Sequence, residues 1–208
     1  MNSILSYPQR GPYGNSRYRG NCSGYIIEDL LSYYKPQNFL ECFAGGGTGY
    51  DVAQKLGYKN SIHLDLNKRF GEFNILKDEL PKGADFVFSH PPYWNIIKYS
   101  GINNVWGDKP HRDDLSHIDN YQNFVNQLNV ANKKIYESMV RGGRHALLLG
   151  DIRRNGKYYS LIKDIQWFGE IEAHLIKIQH NTQSERKKYY NRNFIPIAHE
   201  HLLIFKKT

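Results

Sequence analysis

Two short stretches of this 208-residue chain carry residue types able to do chemistry. The first is Ser89-His90-Pro91-Pro92-Tyr93-Trp94, which follows the apolar run Phe86-Val87-Phe88. Neither proline has an N–H, so neither can extend a strand ladder, and the pair fixes how the chain leaves its strand. The rigid backbone aims carbonyl oxygens into the cleft at the strand's carboxyl end, where open α/β sheets bind ligands. Tyr93 and Trp94 add aromatic faces. A planar base with an exocyclic amino group suits this set: acceptors hold the amino hydrogens, and a ring stacks on the base for roughly 1–3 kcal/mol. His90 adds an imidazole. When neutral it can accept one amino hydrogen bond, provided the correct nitrogen is unprotonated. It could also take the proton released after group transfer.

The second stretch is Glu41-Cys42-Phe43-Ala44-Gly45-Gly46-Gly47-Thr48-Gly49. An apolar strand runs directly into glycines, which let backbone approach a ligand closely. The helix beyond offers free N–H groups. Asp65 ends the next strand, about 18 residues after Gly47, where a carboxylate can accept both hydroxyls of a ribose. The turn is not the dinucleotide pattern GxGxxG, and the chain has no GxxxxGK[ST] phosphate loop. An adenosine-type cofactor without the dinucleotide signature points to S-adenosylmethionine.

These stretches need elements to hold them. Ser23 is placed to cap a helix through Ile26, Ile27, Leu30 and Leu31 that ends before Pro36. Residues 38–42 read as a buried strand, 51–56 as a helix stopped by Gly57, and 59–65 and 84–89 as further strands. Residues 94–120 have no period, and loops of that length are usually functional or mobile. A helix with Phe124, Leu128, Ile135 and Met139 on one side follows, then a Gly142-Gly143 turn and a strand over 144–152. Residues 158–169 read as a helix, 170–179 and 197–207 as strands, and 180–193 as a polar, basic loop. The first 24 residues read as irregular. Strands alternating with helices predict an α/β fold with a mostly parallel sheet, and the last two strands predict an antiparallel C-terminal hairpin.

Composition bounds the rest. Twenty-eight Lys and Arg against 20 Asp and Glu leave a net charge of +8, which suggests an acidic partner such as nucleic acid if those charges are clustered rather than scattered. Two cysteines make a disulfide framework unexpected and exclude a four-cysteine zinc site, which implies a reducing, cytoplasmic setting. Both read as small buried residues. No run of 18 apolar residues predicts a membrane span, and the N-terminus does not resemble a signal peptide.

At these residues the chain resembles the amino-methylating DNA methyltransferases, which modify N6 of adenine or N4 of cytosine. ECFAGGGTG is similar to the family's Asp-Pro-Phe-x-Gly-x-Gly-Thr cofactor motif, with Glu41 for the first acid. HPPYW is similar to its catalytic [Asp/Asn/Ser]-Pro-Pro-[Tyr/Phe] motif, except that His90 stands where Asp, Asn or Ser is usual. RGPYGNSRYRGNCSGYIIEDLL resembles the N-terminal cofactor motif, VRGGRHALLLGD the Gly-Gly turn and its strand, and IAHEHLLIFKK the closing strand. The resemblance spans nearly the whole chain and implies one Rossmann-like S-adenosylmethionine-dependent methyltransferase domain over residues 1–208.

It also implies roles. The cofactor would be held by Asn21, Ser23, Glu41, Phe43, Gly45, Gly47, Thr48, Asp65 and Asn74. His90, Pro91, Pro92 and Tyr93 would form the catalytic set, acting on a base flipped out of double-stranded DNA. The amino nitrogen would attack the methyl group directly, so catalysis rests on orientation and polarisation without a covalent enzyme intermediate. Trp94, Lys98 and Arg112 in the first loop are candidate nucleic-acid contacts. So are Arg153, Arg154 and Lys157 after a strand, and Arg186, Lys187, Lys188 and Arg192 in the second loop. His111, Asp113, Asp114 and His117 lie close in sequence, but no predicted element fixes them and the chemistry needs no metal. Target reading would come from the two loops, from a second copy of the chain or from a partner subunit. Two other readings stay open: an RNA base-amino methyltransferase, and an inactive nucleic-acid-binding subunit of the same fold.

Overall fold

Runs of buried apolar residues become the strands of a seven-stranded sheet in the computed structural model, which describes residues 1–180 and 195–208. In chain order the elements are β1 (Ile4–Ser6), α1 (Gly24–Tyr34), β2 (Phe39–Cys42), α2 (Thr48–Leu56), β3 (Ile62–Leu64), β4 (Ala84–Ser89), α3 (Tyr121–Ser138) and β5 (Met139–Leu149). Then come β6 (Ile152–Arg154), β7 (Lys157–Tyr159), α4 (Leu161–Asp164), β8 (Glu170–Ile178) and β9 (His199–Lys206). The sheet order is β1-β8-β9-β5-β4-β2-β3. Strands β3, β2, β4 and β5 pair in parallel, as do β1 and β8, while β9 is antiparallel to both β5 and β8. The expected mostly parallel sheet with an antiparallel C-terminal hairpin is therefore present.

Helices cover both faces, so central strands bury both sides and read as continuous apolar runs. Alternation sorts their side chains. Phe39, Phe86, Phe88, Ala146 and Leu148 pack with α1 and α2. Leu147, Leu149, Leu203 and Phe205 meet the start of α3, and Leu40, Cys42 and Val87 meet its second half. The C-caps follow the sequence closely, whereas Ser23 stands at the N-cap of α1 without a side-chain cap bond. Helix α1 ends in a left-handed Lys35 just before Pro36. Gly57, at φ 83°, closes α2 by donating its N–H toward the carbonyls of Ala53 and Gln54.

Three expectations need correction. Ile4–Ser6 is not irregular but an edge strand; three residues are too few to show a period. Strand β5 begins at Met139 and passes through the Gly142-Gly143 turn, with a break in its register against β4 between Ala84 and Phe86 that marks a bulge. Residues 158–169 are not one helix. Asn155-Gly156, both at positive φ, make a two-residue turn that folds Lys157–Tyr159 back onto Ile152–Arg154, and only Leu161–Asp164 is helical.

The segment 94–120 is tied down by a buried polar knot. The Asp114 carboxylate accepts from the Ser100 hydroxyl and N–H and from the Ser116 N–H, and the Ser116 hydroxyl accepts from the Tyr99 N–H. From β2 the chain moves outward to β3 and then returns to pair β4 on the other side of β2. That reversal opens a crevice at the carboxyl ends of β2 and β4, where both chemical stretches lie. Among the described residues no helix is long and apolar enough to cross a membrane.

Candidate active site

Strand β2 delivers Phe43 and the glycine turn, β3 delivers Asp65, and β4 delivers His90 and the two prolines. A cavity of about 750 Å³, open to solvent, runs between them. Asp65 stands in its wall beside the apolar side chains Leu64, Leu66, Phe73, Ile75 and Leu115. Its carboxylate accepts the Gly45 N–H at 2.8 Å and the Asn67 N–H at 2.8 Å. Burial pushes the Asp65 carboxyl up to about 6, against those two donors. Phe43 and Trp94, just beyond the ends of β2 and β4, both adopt positive φ, 62° and 52°. Left-handed bulky residues of this kind cluster at functional sites.

The N-terminal segment straps over the glycine turn. Asn15 donates its N–H to the Gly46 carbonyl at 2.9 Å, and Asn21 Oδ1 accepts the Gly46 N–H at 3.3 Å. A Cβ at Gly46 would fall 2.3 Å from Asn21 Nδ2, so this close approach needs glycine. Tyr18 on the strap stacks against Tyr99 on the 95–117 loop, centroids 5.9 Å apart. Both rings line the cavity and join the strap to the loop.

A second cavity of about 730 Å³ adjoins the first. Gly20, Asn21, His90 and Tyr99 belong to both walls. Pro92 lines the first cavity, while Pro91 and Tyr93 line the second with Ile96, Ile97, Lys177, Gln179, His180 and Glu200. His90 Nε2 lies 2.9 Å from the Tyr93 hydroxyl, which donates to Glu200 Oε1 at 2.8 Å. Burial lowers the His90 imidazole to about 4, although the Glu200 charge pulls the other way, so the ring is neutral near pH 7. Ser89 is fully buried against His145 Nε2 at 2.7 Å, so of these two residues His90 faces the cavities.

The other expected residues separate into those in the walls and those behind them. Asn21, Phe43, Gly45, Asp65 and Asn74 line the first cavity. Asn74's amide is already engaged: Nδ2 donates to Asp113 and Oδ1 accepts the Leu76 N–H. Ser23, Glu41, Gly47 and Thr48 do not reach that wall. Ser23 donates to the Gln9 and Arg10 carbonyls, and Glu41 is buried in a 2.7 Å pair with His63 Nδ1. Gly47, at φ 82°, precedes α2, and Thr48 Oγ1 is buried without a hydrogen bond. Cys22 and Cys42 are free and buried, and burial pushes the Cys22 thiol up to about 12.

Among the nucleic-acid candidates, Trp94 is displaced from its expected place. It is buried, donates Nε1–H to the Ile118 carbonyl at 2.8 Å and packs on Tyr121 and Tyr159. Its indole instead carries the Arg154 guanidinium at 4.9 Å, and Arg154 also bonds Asn95. Arg153, Arg154 and Lys157 all stand on the β6–β7 hairpin. Lys98 pairs with Asp119 at 3.5 Å, and Arg112 is largely exposed beside Asp113. Arg186, Lys187, Lys188 and Arg192 lie outside the described residues. Among the described residues no three His, Cys, Asp or Glu are grouped to hold a metal.

Sequence reasoning missed Tyr18, Tyr99, Lys177 and Glu200 as wall residues. Lys177 does carry a signal, since it interrupts the apolar end Leu175-Ile176-Lys177-Ile178 of its strand; Glu200, between His199 and His201, does not.

No family model matches the chain, and no curated protein matches it. Solved structures do. TrmN from Thermus thermophilus aligns over 91% of this chain and 50% of its own, with 13% identity and a TM-score of 0.56. The chain thus spans half the length of that protein. The N-methyltransferase NodS from Bradyrhizobium japonicum WM9, in complex with S-adenosyl-L-homocysteine, aligns over 88% of this chain and 85% of its own, with 13% identity and a TM-score of 0.50. At such identities the likeness shows the fold alone, a Rossmann-like α/β fold that this chain shares with the N-methyltransferase NodS.

Proposed function

We propose that the chain is an S-adenosylmethionine-dependent DNA methyltransferase acting on an exocyclic amino nitrogen, adenine N6 or cytosine N4, of a flipped base. The observation that carries this reading is the pair of adjoining cavities that share His90 at the carboxyl end of β4. The first suits the cofactor. Its apolar slot fits a purine ring, Asp65 has lone pairs left for ribose hydroxyls, and Gly45 lets the backbone come close. The second suits a target base.

When bound, S-adenosylmethionine supplies an electrophilic methyl group and leaves as S-adenosylhomocysteine. The protein's own part is orientation. The Pro91-Pro92 backbone fixes how β4 ends, and a neutral imidazole nitrogen of His90 accepts one amino hydrogen, which aims the nitrogen lone pair. As the N–C bond forms, the amino nitrogen sheds one proton, and the same imidazole nitrogen takes it and passes it to water. Tyr99, stacked on Tyr18, lines both cavities and forms part of the wall between them. The basic hairpin, with Lys98 and Arg112 on the neighbouring loop, supports a role in phosphate contact.

The experiment is sequencing that reads modified bases in DNA from cells with and without the gene. A gene-dependent N6-methyladenine or N4-methylcytosine mark in a defined context is expected. No new mark in DNA, with one appearing in RNA, would contradict the DNA assignment.

A further inference from the structure

Burying a carboxylate is costly unless it is paired, and unpaired it would take up a proton instead. Glu200 on β9 is buried in the wall of the second cavity. Its cross-strand partner in the β8–β9 register is Lys177, whose Nζ lies 2.6 Å from Oε2. Burial alone would raise the Glu200 carboxyl; the Lys177 charge and the hydrogen bonds donated by Lys177 and Tyr93 oppose it, so Glu200 titrates below its ordinary range and is ionised. An ionised carboxylate only accepts. The Tyr93 hydroxyl has one proton, and it goes to Glu200 Oε1.

The Tyr93 oxygen therefore accepts from His90 Nε2, which must carry the imidazole's single proton. The Tyr93 ring cannot easily turn away to break this chain, because it lies against Gly150, where a Cβ would fall 2.5 Å from Cε2. Nδ1 of His90 is then a bare lone pair. Among the described residues it makes no hydrogen bond, and His90 lines both cavities.

We propose that Glu200 is a positioning residue: acting through Tyr93, it fixes His90 in the tautomer protonated on Nε2 and leaves Nδ1 as the acceptor for the target's amino group. The last clause rests on the methyltransferase reading; the tautomer does not. Asp, Asn or Ser at position 90 would present an oxygen acceptor without any such device. A histidine presents a donor or an acceptor according to its tautomer, so its neighbours must choose.

Glu200→Gln gives the sharpest test. Lys177 only donates, so the amide oxygen turns to Lys177 and the amide NH2 faces Tyr93. Tyr93 must then donate to His90 Nε2, and the proton moves to Nδ1. Tyr93→Phe instead breaks the chain and frees the imidazole to exchange between tautomers. Proteins labelled with 15N-histidine and compared with a His90→Asn variant for assignment report both states by two-bond 1H–15N spectra.

The expected wild type has Nε2 protonated and Nδ1 bare, Glu200→Gln has the reverse, and Tyr93→Phe shows averaged shifts. Single-turnover methyl transfer is expected to fall about 100-fold in Glu200→Gln, the cost of one misdirected hydrogen bond at a reacting group. A smaller loss is expected in Tyr93→Phe, with cofactor affinity by calorimetry unchanged in both. A wild-type proton on Nδ1, or wild-type tautomers in both variants, overturns the proposal. So does a larger rate loss in Tyr93→Phe than in Glu200→Gln. If the tautomers behave as expected but the wild type methylates no nucleic acid, the proposed function falls and the control of His90 by Glu200 stands.

Discussion

His90 and Asp65 end neighbouring parts of the same crevice, and burial moves their titrations in opposite directions, to about 4 and about 6. The signs separate two pH effects. Asp65 must be ionised to accept ribose hydroxyls, so cofactor affinity is expected to fall as pH drops through about 6, as calorimetry across that range would show. Asp65→Asn removes that step and weakens binding by about 1.5–3 kcal/mol, the usual worth of a hydrogen bond to a charged group. His90 must be neutral to accept, and it stays so well below the ordinary histidine range. Burial dominates, and of the charges facing it Glu200 raises its titration while Lys177 lowers it. With cofactor saturating, the single-turnover rate is expected to stay flat from pH 7 to pH 5 as far as His90 is concerned; a fall centred near pH 6.5 would contradict a buried, neutral His90. Residue types in the crevice were legible because Pro-Pro and the glycine run act locally. The partners of those residues were not. Glu200 lies 107 positions from Tyr93, and the β4-β5-β9 order of the sheet brings it there.

Among the elements, the glycine turn and the β6–β7 hairpin show where local signals suffice and where they fail. The turn was readable since a strand, glycines and a helix follow directly in sequence. The strap across it was not, because Asn15 and Asn21 meet Gly46 through tertiary contacts. Gly46→Ala is expected to displace the strap and weaken cofactor binding while leaving the circular dichroism unchanged, since its Cβ would press on Asn21 and Tyr18. The helix expected over 158–169 overlaps the hairpin only at Tyr158 and Tyr159, the end of its second strand. Asn155-Gly156 is the competing signal that wins. The same hairpin gathers three cations, two of them over tyrosines of its own second strand. Lys157→Ala is expected to weaken DNA binding similarly for all sequences and to reduce the log–log salt slope by about 0.9, one phosphate contact. An unchanged slope would remove the hairpin from the interface.

The whole molecule is held by a sheet whose central strands are buried on both faces, and that pattern was legible from apolar runs alone. Helix α3 locks one face through Phe124, Leu128 and Ile135, each fully buried. Phe124→Ala is expected to cost about 3–5 kcal/mol of stability in denaturant unfolding. Edge strand β1 escaped notice because three residues show no period. The net charge of +8 gave only a partner class, and the hairpin now gives part of it a place. The central claim is that the two cavities bring an amino group and a methyl donor together at His90. Purified protein, S-adenosylmethionine with a labelled methyl group, and equal pools of duplex DNA and RNA test it by nucleoside mass spectrometry after a single turnover. Label in N6-methyladenine or N4-methylcytosine of DNA, lost in His90→Ala with cofactor binding intact, is the expected result. Label absent from every exocyclic amino group, with cofactor bound, would contradict it.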